Sequence, residues 1–165
     1  MENFKGARKI VTADCVVNVP PQRVFPELCP VREYDWIDGW AAEIVYTAGG
    51  EAELDCVFKT AFHDDGDDVW VVSRYEPFER IEFVRVNARR SMRYIVFLTA
   101  VDGGTRITWT QVITGLTEEG NVDITTKPLE DIHTAMVERC GRMLSYYFET
   151  GKRLDLHLHA MEEQG

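Results

Sequence analysis

The sequence predicts an α+β fold: a curved antiparallel sheet of about seven strands wrapped around one long C-terminal helix, with two short helices after the first strand. Three observations predict it. From residue 41 to residue 113 apolar and polar side chains alternate with period two, interrupted by tight-turn residues. From residue 129 to residue 158 the apolar spacing changes to three and four, one stripe of an α-helix. Between the first strand and the remaining ones, prolines at 20, 21, 26 and 30 leave room only for short turns of helix.

In chain order, residues 9–17 place Val11, Ala13, Cys15 and Val17 on one face of a first strand, which Pro20 and Pro21 end. Residues 22–28 read as a short helix started by Pro21 and ended by Pro26 and Pro30. Residues 29–40, dense in aromatic and charged side chains and including Gly39, read as a second short helix or turn. Ala42, Ile44 and Tyr46 alternate before Gly49-Gly50 reverses the chain. Leu54, Cys56, Phe58 and Thr60 share a face of the next strand. The acidic run from Asp64 to Asp68 contains an Asp-Gly pair and reads as a solvated hairpin turn. Residues 69–75 form the next strand, ended by Glu76-Pro77. Ile81, Phe83 and Arg85 lie on one face of a short strand, Val84 and Val86 on the other. Met92, Tyr94, Val96 and Leu98 repeat the pattern up to the Asp102-Gly103-Gly104 turn, and Ile107, Trp109, Gln111 and Ile113 repeat it again. Residues 115–127 are polar and glycine-containing, with short helical turns.

The helix stripe runs through Leu129, Ile132, Met136, Val137, Cys140, Met143, Leu144, Tyr147, Phe148, Leu154 and Leu158, and the helix is expected over residues 129–157. Pro128 suits its first turn. Glu138 precedes Arg142, and Glu149 precedes Arg153, by the favourable four residues. A helix of that length is roughly 45 Å long at about 1.5 Å per residue. It is too one-sided to be stable alone and must lie across a concave surface. A long sheet curls and supplies one, leaving a cavity between sheet and helix.

A chain of 165 residues is most simply one domain, residues 1–165. Its net charge of −10 argues against nucleic acid and against anionic membrane surfaces. No apolar run approaches the roughly 20 residues of a membrane span, so no stable membrane insertion is expected. The first nine residues lack an apolar core, so no secretory signal is expected. Cysteines at 15, 29, 56 and 140 show no CxxC pairing and read as free thiols in a reducing cytoplasm. A monomer or weak homodimer is expected.

The order of elements, with the stretches 17–25 (VNVPPQRVF), 69–77 (VWVVSRYEP), 80–85 (RIEFVR) and 105–111 (TRITWTQ), resembles the START-like helix-grip superfamily. That superfamily includes birch-pollen-allergen relatives, lipid-transfer domains and bacterial polyketide cyclase/dehydratase-like proteins. The resemblance covers nearly the whole chain. It implies a deep apolar cavity under the C-terminal helix. It does not imply one activity, since members carry, transfer, sense or transform hydrophobic ligands.

Standard catalytic motifs are missing: the sequence holds no GxGxxG, P-loop, HExxH or GxSxG. His157 and His159, two apart, point away from each other on a helix, so a metal site with His133 is not expected. Counted from Asp65, positions five and six are Val69 and Trp70, which fails the EF-hand pattern. No cofactor is expected. The candidate ligand contacts are the inward aromatic and soft side chains, namely Trp40, Tyr46, Phe58, Phe83, Tyr94, Trp109, Met136, Cys140, Met143 and Tyr147, with Arg85 and Gln111 as polar contacts. Plain core filling is the competing role for each aromatic. An inward Arg85 needs an anion, which a ligand carboxylate or phenolate would supply; a strand-end arginine reaching solvent is the alternative, and Gln111 faces the same choice. Asp35 and Asp38 are either acid/base groups at the cavity mouth or helix caps. With no nucleophile–base pair visible, carriage or sensing of a hydrophobic small molecule is the leading expectation. A cyclase-, aromatase- or dehydratase-like enzyme and an interaction module resembling chaperone activators are the alternatives.

Overall fold

A computed structural model describes residues 3–62 and 66–156 of the chain. The predicted turn residues Asp64 and Asp65, and His157, Leu158 and His159, lie outside the described residues.

Seven strands, β1 (Arg8–Val17), β2 (Ala42–Tyr46), β3 (Val57–Phe62), β4 (Gly66–Glu76), β5 (Arg80–Val86), β6 (Arg90–Val101) and β7 (Gly104–Gly115), form one antiparallel sheet in the order β1-β7-β6-β5-β4-β3-β2. After β1 the chain makes α1 (Pro21–Val24), which runs into a 3-10 turn (Phe25–Leu28), and then a second 3-10 turn (Glu33–Asp35). The expected α+β layout, with its two short helical pieces, is therefore present. Pairing β1 with β7 brings the first strand to the last, so the chain's two halves share one sheet.

The inward side chains line up in rows across the strands. One row runs Val72, Phe83, Tyr94, Gln111 and Val11; the next runs Phe58, Trp70, Arg85, Met92 and Ile113. Period-two alternation on neighbouring strands in register has to produce such rows, because successive side chains point to opposite faces. Most members are buried hydrophobics, and burying each contributes about 1.5–3 kcal/mol of driving force.

The helix α3 (Leu129–Thr150) covers the concave face beside β1. Its buried residues are His133, Val137, Cys140, Gly141, Met143 and Leu144. Gly141 sets the approach: a Cβ there would stand 2.9 Å from Cβ of Cys15. That contact fixes the helix rotation and corrects one expectation. Ile132 is 53% exposed, because the face that meets the sheet is centred on His133, Val137 and Gly141. His133 fastens the helix to the sheet through Nε2 and the Trp109 carbonyl oxygen, 2.9 Å apart.

Four boundaries differ from the sequence reading. The helix ends at Thr150 rather than near residue 157, because Gly151 takes φ 69°, a left-handed cap whose N–H bonds back to the Tyr147 carbonyl. Arg153 therefore lies beyond the helix, although Leu154 still packs into the core. Residues expected to form only short turns make a nine-residue helix, α2 (Glu118–Thr126), capped by the Thr117 hydroxyl, which accepts from the Gly120 N–H. Leu54 lies outside β3 and is exposed, since Asp55 at φ 67° turns the chain just before the strand. Gly66, Asp67 and Asp68 belong to β4 rather than to a hairpin turn. The four cysteines are unbridged.

Candidate functional site

The floor of the concave face is a run of rings. Phe58 stacks on Trp70 with centroids 5.2 Å apart, Trp70 meets Phe83 at 5.8 Å and Tyr94 at 6.0 Å, and Tyr94 meets Trp109 at 6.0 Å. Edge-to-face geometry dominates, as the ring quadrupoles favour. Trp70 satisfies its indole N–H by donating to the Thr60 hydroxyl at 2.9 Å.

Arg85 does point inward, but its anion comes from the protein. Nη2 donates to Oδ2 of Asp68 at 2.5 Å, and Arg90 donates to both oxygens of the same carboxylate at 3.3 Å. The guanidinium lies 4.3 Å from the centre of the Trp70 ring. Asp68 is buried, which corrects the reading of its acidic run as a solvated turn. The signal was present in the sequence: Asp68 has the same parity as Trp70 and Val72, both inward. An aspartate at such a position stays buried only because two arginines face it.

The acid that faces the interior is Glu33, which sequence reasoning missed. In a 3-10 turn, residues three apart eclipse, so Glu33 shares the inward side with Trp36, which is fully buried and donates its indole N–H to the Glu27 carbonyl. Protein surrounds the Glu33 carboxyl, and that enclosure pushes its pKa up to about 8. The residue nonetheless keeps water-accessible surface. No hydrogen bond or ion pair holds its side chain among the described residues. Its charge reaches Tyr94 on β6 and Cys140 on α3, and burial and that charge raise the pKa of both, Cys140 to about 12. Tyr94 points its hydroxyl at the Met136 sulfur, 3.9 Å away, with the Gln111 side chain beside it. Glu33, Tyr94, Gln111, Met136 and Cys140 thus converge from the second turn, β6, β7 and α3.

Asp35 and Asp38 do other work. Asp35 is exposed and lies 3.6 Å from Arg32, while Asp38 accepts the Leu156 N–H at 3.4 Å and ties down the chain beyond α3. Among the other predicted contacts, Met143 is buried and close-packed. Trp40 is half-buried, donates to the Pro30 carbonyl and meets Phe62 at 5.8 Å. Tyr46 is 62% exposed on the edge strand β2, away from the converging groups. Tyr147 lines a cleft of about 370 Å³ with Arg23, Glu27, Arg32 and Phe148. A second cleft of about 370 Å³ lies where α2, α3 and β1 meet, lined by Lys9, Ile124, Lys127 and Glu130 among others.

No protein-family model matches the chain, and no curated protein does. Solved structures do. The protein Mll3558 from Rhizobium loti is 20% identical, with a TM-score of 0.63 over 85% of this chain and 99% of its own. The Aha1 dimer from Colwellia psychrerythraea is 13% identical, with a TM-score of 0.62 over 87% of this chain and 98% of its own. DynU16, from the dynemicin biosynthetic locus, is 19% identical, with a TM-score of 0.58 over 87% of this chain; the chain spans about half its length, 48%.

This is the START-like helix-grip fold.

In the helix-grip frame the converging groups have a common logic. The sheet supplies a rigid aromatic floor, α3 supplies a soft roof of Met136 and Cys140, and the loop after α1 swings Glu33 in from the side. The cleft lined by Tyr147 also holds the Arg32–Glu27 pair, 2.9 Å apart. No described helix is long and apolar enough to cross a membrane.

Proposed function

We propose that the chain acts as one ligand-binding domain, residues 1–165, that carries or senses a small, largely apolar molecule between the concave face and α3. The observation that carries this is the Glu33 carboxyl: enclosed by protein, reached by water, and held by no side chain or backbone group among the described residues. Held by no protein group among the described residues, the carboxyl is free to bond a polar atom of a ligand. The aromatic floor provides the apolar contact area that small-molecule sites use. The origin of DynU16 in a biosynthetic locus supports a small-molecule ligand. The free thiols and the net charge of −10 support a cytoplasmic setting free of nucleic acid. Native mass spectrometry of freshly purified protein tests the proposal. A co-purifying hydrophobic compound, released by Glu33→Leu, supports it; wild-type protein of bare mass that takes up no apolar probe refutes it.

One observation favours a second reading, a cyclase- or dehydratase-like enzyme. A carboxyl kept protonated up to pH about 8, near the Tyr94 hydroxyl, has the properties of a general acid. A chemical change of the co-purifying compound by wild-type protein, slowed 100-fold or more in Glu33→Gln, separates catalysis from carriage.

A further inference from the structure

We propose that the cleft between α1 and the end of α3 is a second binding site, independent of the internal one, and that it takes an aromatic monocarboxylate whose carboxylate is held by Arg23.

The cleft is built from two directions. Arg23 lies in the last turn of α1, and Pro26 and Glu27 follow in the 3-10 turn after it. Tyr147 and Phe148 come from the last turn of α3, which Gly151 caps. The volume of about 370 Å³ lies toward the small end of small-molecule pockets, about 300–1,000 Å³. The two rings, with centroids 5.8 Å apart, supply an apolar wall.

The charges of the cleft leave one cation for a ligand. Arg32 donates through Nη2 to Oε1 of Glu27 at 2.9 Å, faces Asp35 with Nε at 3.6 Å, and is hydrogen-bonded to the Tyr147 side chain. Glu27 is 6% exposed, and its second oxygen, like Nε of Arg32, is closed off from solvent. This pair meets the cleft already neutralised. Arg23 does not. It is exposed and makes no hydrogen bond or ion pair among the described residues. What holds it is the face of Phe148, whose ring centre lies 5.4 Å from Cζ. A phenyl ring attracts the cation but has no lone pair to accept its N–H groups, so the fork stays in place with its donors unspent.

A guanidinium fork steadied on an aromatic wall fits a carboxylate whose apolar body lies along the rings. The surroundings limit the ligand to one negative charge. The end of α3 brings the negative pole of its dipole to the cleft, and Glu27 and Asp35 already claim Arg32, so a second charge finds no cation. A cationic ligand would meet Arg23 and Arg32, and a neutral hydrocarbon would leave the fork unused.

Four matched probes, followed at pH 7 by backbone amide chemical shifts, test this: 2-naphthoate, 2-naphthyl phosphate, 2-naphthylmethylammonium and 2-ethylnaphthalene. Naphthoate should move the signals of Arg23, Phe148 and Gly151. At those signals it should bind roughly tenfold tighter than the ammonium or the hydrocarbon. It should also bind tighter than the phosphate, whose charge at pH 7 is about −1.5 to −2. Arg23→Gln, a change at an exposed side chain, should weaken naphthoate there by roughly tenfold. Naphthoate that moves only interior signals, such as Tyr94 and Met136, overturns this site and leaves the internal reading standing. Equal binding of hydrocarbon and naphthoate at the cleft, or of phosphate and naphthoate, overturns the ligand class, and both comparisons use wild-type protein. Undiminished naphthoate binding in Arg23→Gln overturns the role of Arg23. Silence of the cleft signals toward naphthoate overturns the proposal, whatever the interior binds.

Discussion

Asp68 on β4 and Arg85 on β5 form a buried ion pair on the concave side of the sheet, with Oδ2 and Nη2 2.5 Å apart. The two residues sit diagonally across neighbouring strands, since Arg85 pairs in register with Trp70, two positions beyond Asp68. Arg90, from the start of β6, closes on the same carboxylate. The cluster fixes three strands at one end of the rows that carry the aromatic floor.

Removing one partner should therefore be costly. Asp68→Asn leaves two buried guanidinium groups facing an amide, and a loss of about 3–5 kcal/mol is expected in urea unfolding. The double variant Asp68→Leu with Arg85→Met should recover part of it, because one of the two guanidinium groups is removed along with its partner while Arg90 still faces the lost carboxylate. A loss below about 1 kcal/mol in Asp68→Asn would mean that water reaches the pair.

The link between α3 and β7 should make stability pH-dependent. Burial holds the His133 imidazole below the usual histidine pKa, so the native protein resists a proton that the unfolded chain accepts. Stability contributed this way is present above pH about 6.5 and falls as pH drops through it. Thermal unfolding of the wild type between pH 7.5 and pH 5 should show the fall. His133→Gln, whose amide can still donate to the Trp109 carbonyl, should flatten that part of the profile.

Helix approach offers a test independent of ligand. Gly141→Ala puts a methyl group 2.9 Å from Cβ of Cys15 and 3.2 Å from its sulfur. Overpacking of this kind typically costs about 1–3 kcal/mol. Gly141→Ala combined with Cys15→Gly should recover part of it, and an unchanged urea midpoint for the single variant would show that α3 can lift off β1.

The two methionines of α3 should respond oppositely to enlargement. Met143 is close-packed, so Met143→Trp should lose about 1–3 kcal/mol of stability. Met136 is half-buried beside the Tyr94 hydroxyl, where on the proposed reading an indole would take the ligand's place. Met136→Trp should keep its melting temperature within a few degrees and weaken binding of an apolar fluorescent probe at least tenfold. A large stability loss in Met136→Trp would mean that the space beside Tyr94 is filled by protein.

Much of this molecule was legible before any coordinate. The alternation that put Ile81, Phe83 and Arg85 on one face is geometric, and all three are buried. The stripe of α3 was legible to within a rotation, and Ile132 fell on the wrong side of it because a sequence spacing does not say how closely two elements approach. Gly141 decided that, and its role exists only opposite Cys15.

Charge placement was where local reading failed. Asp68 sits in a run of acidic residues whose composition says solvent, while its parity says interior; parity prevailed because Arg85 and Arg90 arrive from other strands to neutralise it. Glu33 gave no signal at all, being one charged residue among several in an irregular stretch. The sequence by itself determined the strands, their faces and the long helix, because period and turn chemistry are properties of neighbouring residues. Which carboxylate is buried and paired was decided only in three dimensions, because desolvation depends on everything that closes around a group, and Asp68 meets Arg85 and Arg90 from positions 17 and 22 residues away.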